Sequence, residues 1–276
     1  MDAFESQARH AVERAAEHLL AAHEGRVSGR ERVDFKGEVD LVTATDRELE
    51  AMLVDDLRRA FPDHAIVAEE GATAIAAAET AEYVWYVDPL DGTTNFAHAY
   101  PHFAISVGLT RRGEHLFGIV VNPVRGETFV AHRGGGAFLN GAPIKVSAVE
   151  DLGQALLSTG FPYDRRDKAD FYLAFVDDFM RRAQGIRREG TASLDLCYVA
   201  CGRLDGFWEM KLKPWDTCAG ALIVREAGGT VTDFRGLAFD PHGVQTLATN
   251  GRIHEAMVAV LKARLGQPRR TGRSVA

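Results

Sequence analysis

The chain has 276 residues, 46% of them hydrophobic and 26% charged, with a formal net charge of −7. That is ordinary globular composition, enough for one large domain or two small ones with ample core. The acidic balance argues against a general nucleic-acid binder, which needs a basic face, and no apolar run approaches the roughly 20 residues of a membrane span.

The opening MDAFESQARHAVERAAEHLL is charged from the start and is not expected to be a signal peptide. Phe4, Ala8, Val12, Ala15, Leu19 and Leu20 recur at helical spacing and predict an amphipathic helix over residues 2–24. Residues 25–40, with Gly25, Gly29 and Gly37 among charges, read as loop. Thr45-Asp46-Arg47-Glu48 reads as a capping box. It would open a second helix presenting Leu49, Met52, Leu53, Leu57 and Phe61, stopped by Pro62. Residues 71–82 are mostly Ala, Thr and Glu and read as a surface excursion.

Short β-rich runs follow at 83–87, 103–110, 116–121 and 128–131, and Asn140-Gly141 is a hairpin signal. Helical period returns at 170–183, and the stripe Phe171, Phe175, Phe179 reads as core. Residues 191–202 predict another helix, 207–210 a strand, 217–227 a helix closed by Gly228, and 229–234 a strand. A strand at 246–249 and a helix at 253–265 come last, before a tail at 266–276 expected to be disordered. Strands alternating with helices suggest layered sheets and helices. Cys197, Cys201 and Cys218 cannot all pair. The first two stand four apart, as on one buried helix face, so free thiols in a reducing cytoplasm are expected.

The strongest chemical signal is Asp88-Pro89-Leu90-Asp91-Gly92-Thr93-Thr94-Asn95-Phe96. Pro89 disfavours helix at Asp88, so the chain is expected to leave its strand in a tight turn. Such a turn aims two carboxylates and the Leu90 carbonyl into one oxygen-lined cup suited to a hard cation. Gly92 and Thr93 would then begin a helix whose free N–H groups face an anion. An acidic protein that handles phosphate has to neutralise it locally, and metal ions serve that purpose. Three further pieces are ambiguous alone. Glu69-Glu70 also reads as surface acids, Asp216 in Pro214-Trp215-Asp216 as a helix N-cap, and the run 40–46 as the capping box already described. His98, His102, His132 and His242 lack the spacing of a metal set, and Arg165-Arg166 and Arg187-Arg188 read as solvated or interface groups.

Together the pieces resemble the inositol monophosphatase family of lithium-sensitive, magnesium-dependent phosphatases, its bacterial members in particular. The resemblance is carried by DLVTATD at 40–46, AEE at 68–70, DPLDGTTNF at 88–96, GGGAFLNGAPIKVS at 134–147, GTASLDLCYVACGRLDGFWE at 190–209 and LKPWDTCAGALIVREAGG at 212–229. It implies an α+β fold, a layered αβαβα sandwich of the inositol monophosphatase and fructose-1,6-bisphosphatase type. That fold would be one domain over residues 1–265, with α/β parts meeting near residue 149. It implies two or three Mg²⁺ ions on Glu69, Asp88, the Leu90 carbonyl, Asp91 and Asp216. Asp46 and Thr93 match the pair that positions the attacking water, with Glu69 accepting its proton. The Gly92 and Thr93 amides match phosphate contacts. Gly190, Thr191, Ala192 and Glu209 match the pocket for substrate hydroxyls, with Asp91 and Asp216 at its edge. Lys36 matches a mobile loop over the metals.

The implied substrate is a small phosphorylated polyol or sugar, myo-inositol monophosphate first. Fructose 1,6-bisphosphate and 3′-phosphoadenosine 5′-phosphate are the alternative substrates, and a regulatory binding protein that keeps the fold but not the catalysis is the alternative of another class. The resemblance also implies a homodimer in the cytoplasm, without membrane or evident nucleic-acid contact, and a transcription-machinery partner as a second role. Two departures stand out. Ala68 replaces the usual Gly before the acid pair, and Lys211 stands where a small residue is common, so it is expected to alter charge near the pocket.

Overall fold

A computed structural model of the chain describes residues 3–27, 44–69, 71, 78 and 80–266. Lys36, residues 40–43, Glu70 and the tail beyond Gly266 lie outside the described residues. α1 (Ala3–Val27) turns Ala8, Val12, Ala15, Leu19 and Ala22 to one buried side. α2 (Ala44–Ala60) does the same with Leu49, Leu53 and Leu57. Thr45 lies inside the first turn of α2 and is buried. It is therefore not the N-cap, and the capping-box reading at 45–48 is corrected. Asp46 beside it is drawn inward instead, as described below.

β1 (Ala65–Ala68), β2 (Tyr83–Asp91), β3 (Ala104–Arg111), β4 (Glu114–Asn122), β5 (Glu127–His132), β6 (Gly136–Leu139) and β7 (Ala142–Pro143) form one sheet in chain order, with α3 (Thr93–Ala97) between β2 and β3. β1 runs parallel to β2, and every later pairing is antiparallel. Asn140 and Gly141 turn the last hairpin with φ of 49° and 79°, the left-handed pair that such a two-residue loop requires. Residues 84–90 of β2 are buried without alternation, because helices cover both faces of this sheet.

A second sheet takes β8 (Leu156–Thr159), β9 (Gly185–Arg187), β10 (Gly206–Met210), β11 (Thr230–Thr232) and β12 (Gln245–Thr249) in the order β11-β12-β10-β8-β9. β8 and β9 are too short to carry a periodic signal and are absent from the sequence reading. α4 (Ala169–Met180), α5 (Ala192–Ala200), α6 (Pro214–Glu226) and α7 (His254–Leu265) complete the described helices.

α5 and α6 fill the space between the sheets. Leu196, Val199, Leu222 and Ile223 pack there against Val120 and Phe129 on one side and Phe207 and Ala248 on the other. Missing side chains make the fit close. A Cβ on Gly108 would lie 2.6 Å from the Cys218 Sγ, one on Gly118 2.8 Å from the Ala219 Cα, and one on Gly220 2.6 Å from Leu196. α1 and α2 cover the outer face of the first sheet. Phe175 and Phe179 of α4 and Met257 and Leu261 of α7 cover the second against Trp208 and Leu247. The layers therefore run αβαβα, the α+β sandwich expected. Among the described residues no helix is long and apolar enough to cross a membrane, and all three cysteines are free.

Candidate active site

The DPLDG segment does not end its strand. β2 pairs with β3 through Asp88 opposite Ser106 and again through Asp91 opposite Ala104. Three steps on one strand thus match two on the other, which is a β-bulge. Pro89 has no N–H to donate and is tolerated where the ladder is broken. The Asp88 carboxylate closes the bulge by accepting from the Leu90 N–H at 3.0 Å. The expected tight turn is thus a bulge inside the strand, and it sets Asp88, Leu90 and Asp91 along one cavity wall.

Gly92 follows at φ 93°. A side chain there would be strained, and its Cβ would fall 2.5 Å from the Thr191 Oγ1. α3 then begins, so its first N–H groups have no intrahelical acceptor. The Thr93 hydroxyl lies 3.1 Å from Asp46 Oδ1 and 3.0 Å from the Leu90 carbonyl. This contact explains why Asp46, 1% exposed, turns inward from α2.

The remaining groups arrive from the second half of the chain. Gly190, at φ 81°, leads into α5, and the Thr191 hydroxyl donates to the His102 carbonyl at 3.0 Å. The Ser193 N–H at the start of α5 donates to Asp91 Oδ2 at 2.7 Å, so an acid from the first sheet caps a helix of the middle layer. Asp216 is not the N-cap of α6, as its position suggested. The helix starts two residues earlier at Pro214, and Asp216, now at the third position, accepts from the Lys213 N–H at 2.7 Å. Glu209 projects from β10 into space that only glycine leaves open, since a Cβ on Gly160 would sit 2.0 Å from its Oε2.

These groups meet in a cavity of about 370 Å³ lined by Glu69, Asp88, Leu90, Asp91, Gly92, Thr93, Gly190, Ala192, Glu209 and Asp216. Asp46 and Thr191 stand just behind its wall, joined to it through Thr93 and the His102 carbonyl. Every residue singled out in the sequence for the site and described by the structure is therefore brought to one place.

The electrostatics follow from crowding acids together. Burial, and then the charges of Glu69, Asp91 and Asp216, push the Asp88 carboxyl well above its ordinary range. Burial also raises Asp91 to about 6 against hydrogen bonds from the start of α5, Asp216 to about 7 and Glu209 to about 8. Asp195, one turn into α5, is buried too and raised by that burial and by Glu209. The Ser158 hydroxyl pulls the other way.

Carboxylates and one carbonyl form an all-oxygen donor set, the kind a hard divalent cation selects. Their mutual repulsion is the kind a bound cation relieves. Among the described residues, no three His, Cys, Asp or Glu side chains stand together as a ready-made ion cage. The donor set fits magnesium.

Several groups stand differently from their sequence reading. Arg165 and Arg188 line the cavity, with the Arg188 guanidinium 5.7 Å from the Phe161 ring. They are not merely solvated or interface groups. Lys211 lines the cavity, as its expected effect on local charge requires, and its ammonium is paired with Asp164. Asp164 also accepts from the Tyr172 hydroxyl at 2.7 Å and pairs with Lys168 at 2.6 Å. His102 is held 3.4 Å from Glu189.

A model described as the inositol monophosphatase family matches residues 1–265. The protein of Pseudomonas aeruginosa called Nus factor SuhB is 45% identical over 235 residues, 84% of this chain and 87% of its own. The inositol-1-monophosphatase of Synechocystis is 44% identical over 234 residues, 84% of this chain and 81% of its own. Among solved structures, the extragenic suppressor protein suhB of Bartonella henselae is similar with a TM-score of 0.87 at 39% identity, over 95% of this chain and 99% of that one.

Proposed function

The chain belongs to the inositol monophosphatase family, and from that premise we propose that it is a Mg²⁺-dependent phosphatase of small polyol phosphates, myo-inositol monophosphate first among them. The observation that carries the reading is the meeting of Glu69, Asp88, Leu90, Asp91 and Asp216 in one cavity that also holds Glu209 and the Gly190–Ala192 corner. Two or three Mg²⁺ ions held by the first five groups would screen the phosphate oxygens, acidify a water and stabilise the leaving alkoxide.

The chain's own residues supply the rest. The Thr93 hydroxyl donates its one proton toward the Asp46 carboxylate at 3.1 Å and the Leu90 carbonyl at 3.0 Å. The Thr93 lone pairs are then free to accept from a water and turn that water's own lone pair toward phosphorus. Glu69 is the base for the water's proton. The Gly92 and Thr93 amides bind the phosphate oxygens. Glu209, with the Gly190, Thr191 and Ala192 corner, receives the alcohol's hydroxyls, and a buried polar carboxyl group there, whose hydrogen bonds an apolar leaving group would leave unmade, disfavours such a group.

Phosphate release from inositol 1-phosphate, with and without Mg²⁺, tests this. Release only with the metal supports it, and no release from any monoester sinks it. A second substrate reading, fructose 1,6-bisphosphate or 3′-phosphoadenosine 5′-phosphate, is favoured by Arg165, Arg188 and Lys213 around the cavity, since these cations suit a second anionic group. Comparing kcat/KM across the panel decides between them.

A homodimer in the cytoplasm is part of the proposal. Light scattering at micromolar protein that gives only the single-chain mass of 30.2 kDa would remove the dimer. The relatives called Nus factor favour a second role with the transcription machinery. Binding to purified RNA polymerase that survives Asp91→Asn would separate that role from catalysis, and absence of binding would dismiss it.

A further inference from the structure

We infer that Asn95 is a positioning residue that fixes the spacing between the phosphate end and the hydroxyl end of the cavity. The inference rests on the phosphatase reading above. It starts from one atom. The Asn95 Nδ2 lies 2.7 Å from the His102 carbonyl, 2.8 Å from the Glu189 carbonyl and 3.3 Å from the Thr191 Oγ1. With acceptors on every side, only the NH₂ of the amide suits that position. It carries two protons, so the two carbonyls take the direct bonds and Thr191 shares. Thr191 in turn donates to the same His102 carbonyl.

Three segments are joined at this point. One is α3, which carries Gly92 and Thr93 at the phosphate end. The second is the stretch before β3. The third is the Glu189–Thr191 corner of the hydroxyl pocket, 94 residues further along the chain.

The corner needs a tether. Gly92 and Gly190 both sit at positive φ, so the backbone on either side of the cavity has little stiffness of its own. The same corner is also tied by the Thr191 hydroxyl to the His102 carbonyl at 3.0 Å, by Glu189 to His102 at 3.4 Å, and by the Ser193 N–H to Asp91 at 2.7 Å, the last being the one that reaches the phosphate end of the cavity. Asp91 is also a proposed metal ligand, so the strength of that link changes as metal comes and goes. Asn95 is uncharged and has no ligand role. Its link does not draw on a metal's charge, and the distance it sets decides which alcohols span from phosphate to Glu209.

The test compares two substrates and adds a readout that needs no metal. For Asn95→Ala, KM for inositol 1-phosphate should rise about tenfold, the order expected for one lost buried hydrogen bond. Phenyl phosphate, which has no hydroxyls to place, should stay within about twofold in kcat/KM. In the metal-free protein, amides of residues 189–193 should exchange faster, while those of β3 and β4 keep their protection. Asn95→Asp should be worse than Ala, because its carboxylate would face two carbonyl oxygens. Asn95→Ser, which keeps a donor, serves if either variant fails to fold.

Equal losses on both substrates, or unchanged exchange at 189–193, would overturn the inference. A wild-type chain that hydrolyses neither substrate would sink the phosphatase reading instead, and the exchange measurement would still decide the role of Asn95.

Discussion

Replacing Glu209 with glutamine should make the metal-free protein more stable and a poorer phosphatase of polyols. Burial holds the Glu209 carboxyl at about 8 against an ordinary 4.5. Between those values the unfolded chain gives up this proton and the folded chain keeps it, so stability falls as pH rises. Each pH unit in the gap costs about 1.4 kcal/mol. From 4.5 to 7.5 that is about 4 kcal/mol, and water in the open cavity screens it to roughly 2–4 kcal/mol. Glutamine is nearly the same shape and cannot ionise, so it escapes the whole cost. At roughly 2–4 °C per kcal/mol for a chain of this size, the melting temperature at pH 7.5 should rise by roughly 4–16 °C. The gain should be absent near pH 4.5, grow up to about pH 8 and then level off. Calorimetric melts in EDTA across pH 4.5–8.5 measure it. A gain that is the same at every pH, or no gain at all, would refute the reasoning, because only a raised carboxyl produces that slope. Activity should move the other way, with KM for inositol 1-phosphate rising while Mg²⁺ affinity stays near wild type.

Asp91→Asn should cut turnover by more than the ~10–100-fold that loss of a group merely supporting a metal ligand costs, with the far-UV spectrum unchanged. A rate within a few-fold of wild type at every Mg²⁺ concentration of a titration would show Asp91 to be only a helix cap. Gly118→Ala drives a Cβ to 2.8 Å from the Ala219 Cα, so it should destabilise by about 1–3 kcal/mol. It should also lower activity, by lifting α6 and Asp216 with it. Denaturant midpoints and rates on the same sample check both. Lithium should inhibit only when Mg²⁺ is present, uncompetitively or in mixed fashion with respect to substrate, because Li⁺ can enter the oxygen cup but carries half the charge. Steady-state rates over a grid of Li⁺ and substrate decide, and purely competitive behaviour would contradict it.

The parts of this molecule that announce themselves in sequence are those with a local cause. Leu49, Leu53 and Leu57 mark α2 by their spacing, and Asn140-Gly141 marks a hairpin by the φ it tolerates. Asp88 to Thr93 were readable as a site because two acids, a proline and a glycine crowd six positions. Their exact form was not readable. Pro89 suits a strand-ending turn and a bulge equally, and only the pairing of Asp91 with Ala104, a contact made after folding, separates them. Asp216 could have been placed better, since a proline two residues earlier favours the first helical position. Arg165 and Arg188 carried no signal that would place them at the site. They reach the cavity through β8 and β9 and the loops beside them, and strands of three or four residues acquire their identity from the sheet they join.

The bond between Asp91 and the start of α5 crosses 102 positions of sequence, and Asp216 comes later still. A ribosome making this chain exposes Asp88 and Asp91 long before the partners that complete their surroundings. Until α6 has left the exit tunnel, the growing chain holds acids without the helix ends that steady them. On the proposed reading, the site is therefore completed only near the end of synthesis, and a polypeptide cut short before Asp216 should be inert rather than weakly active.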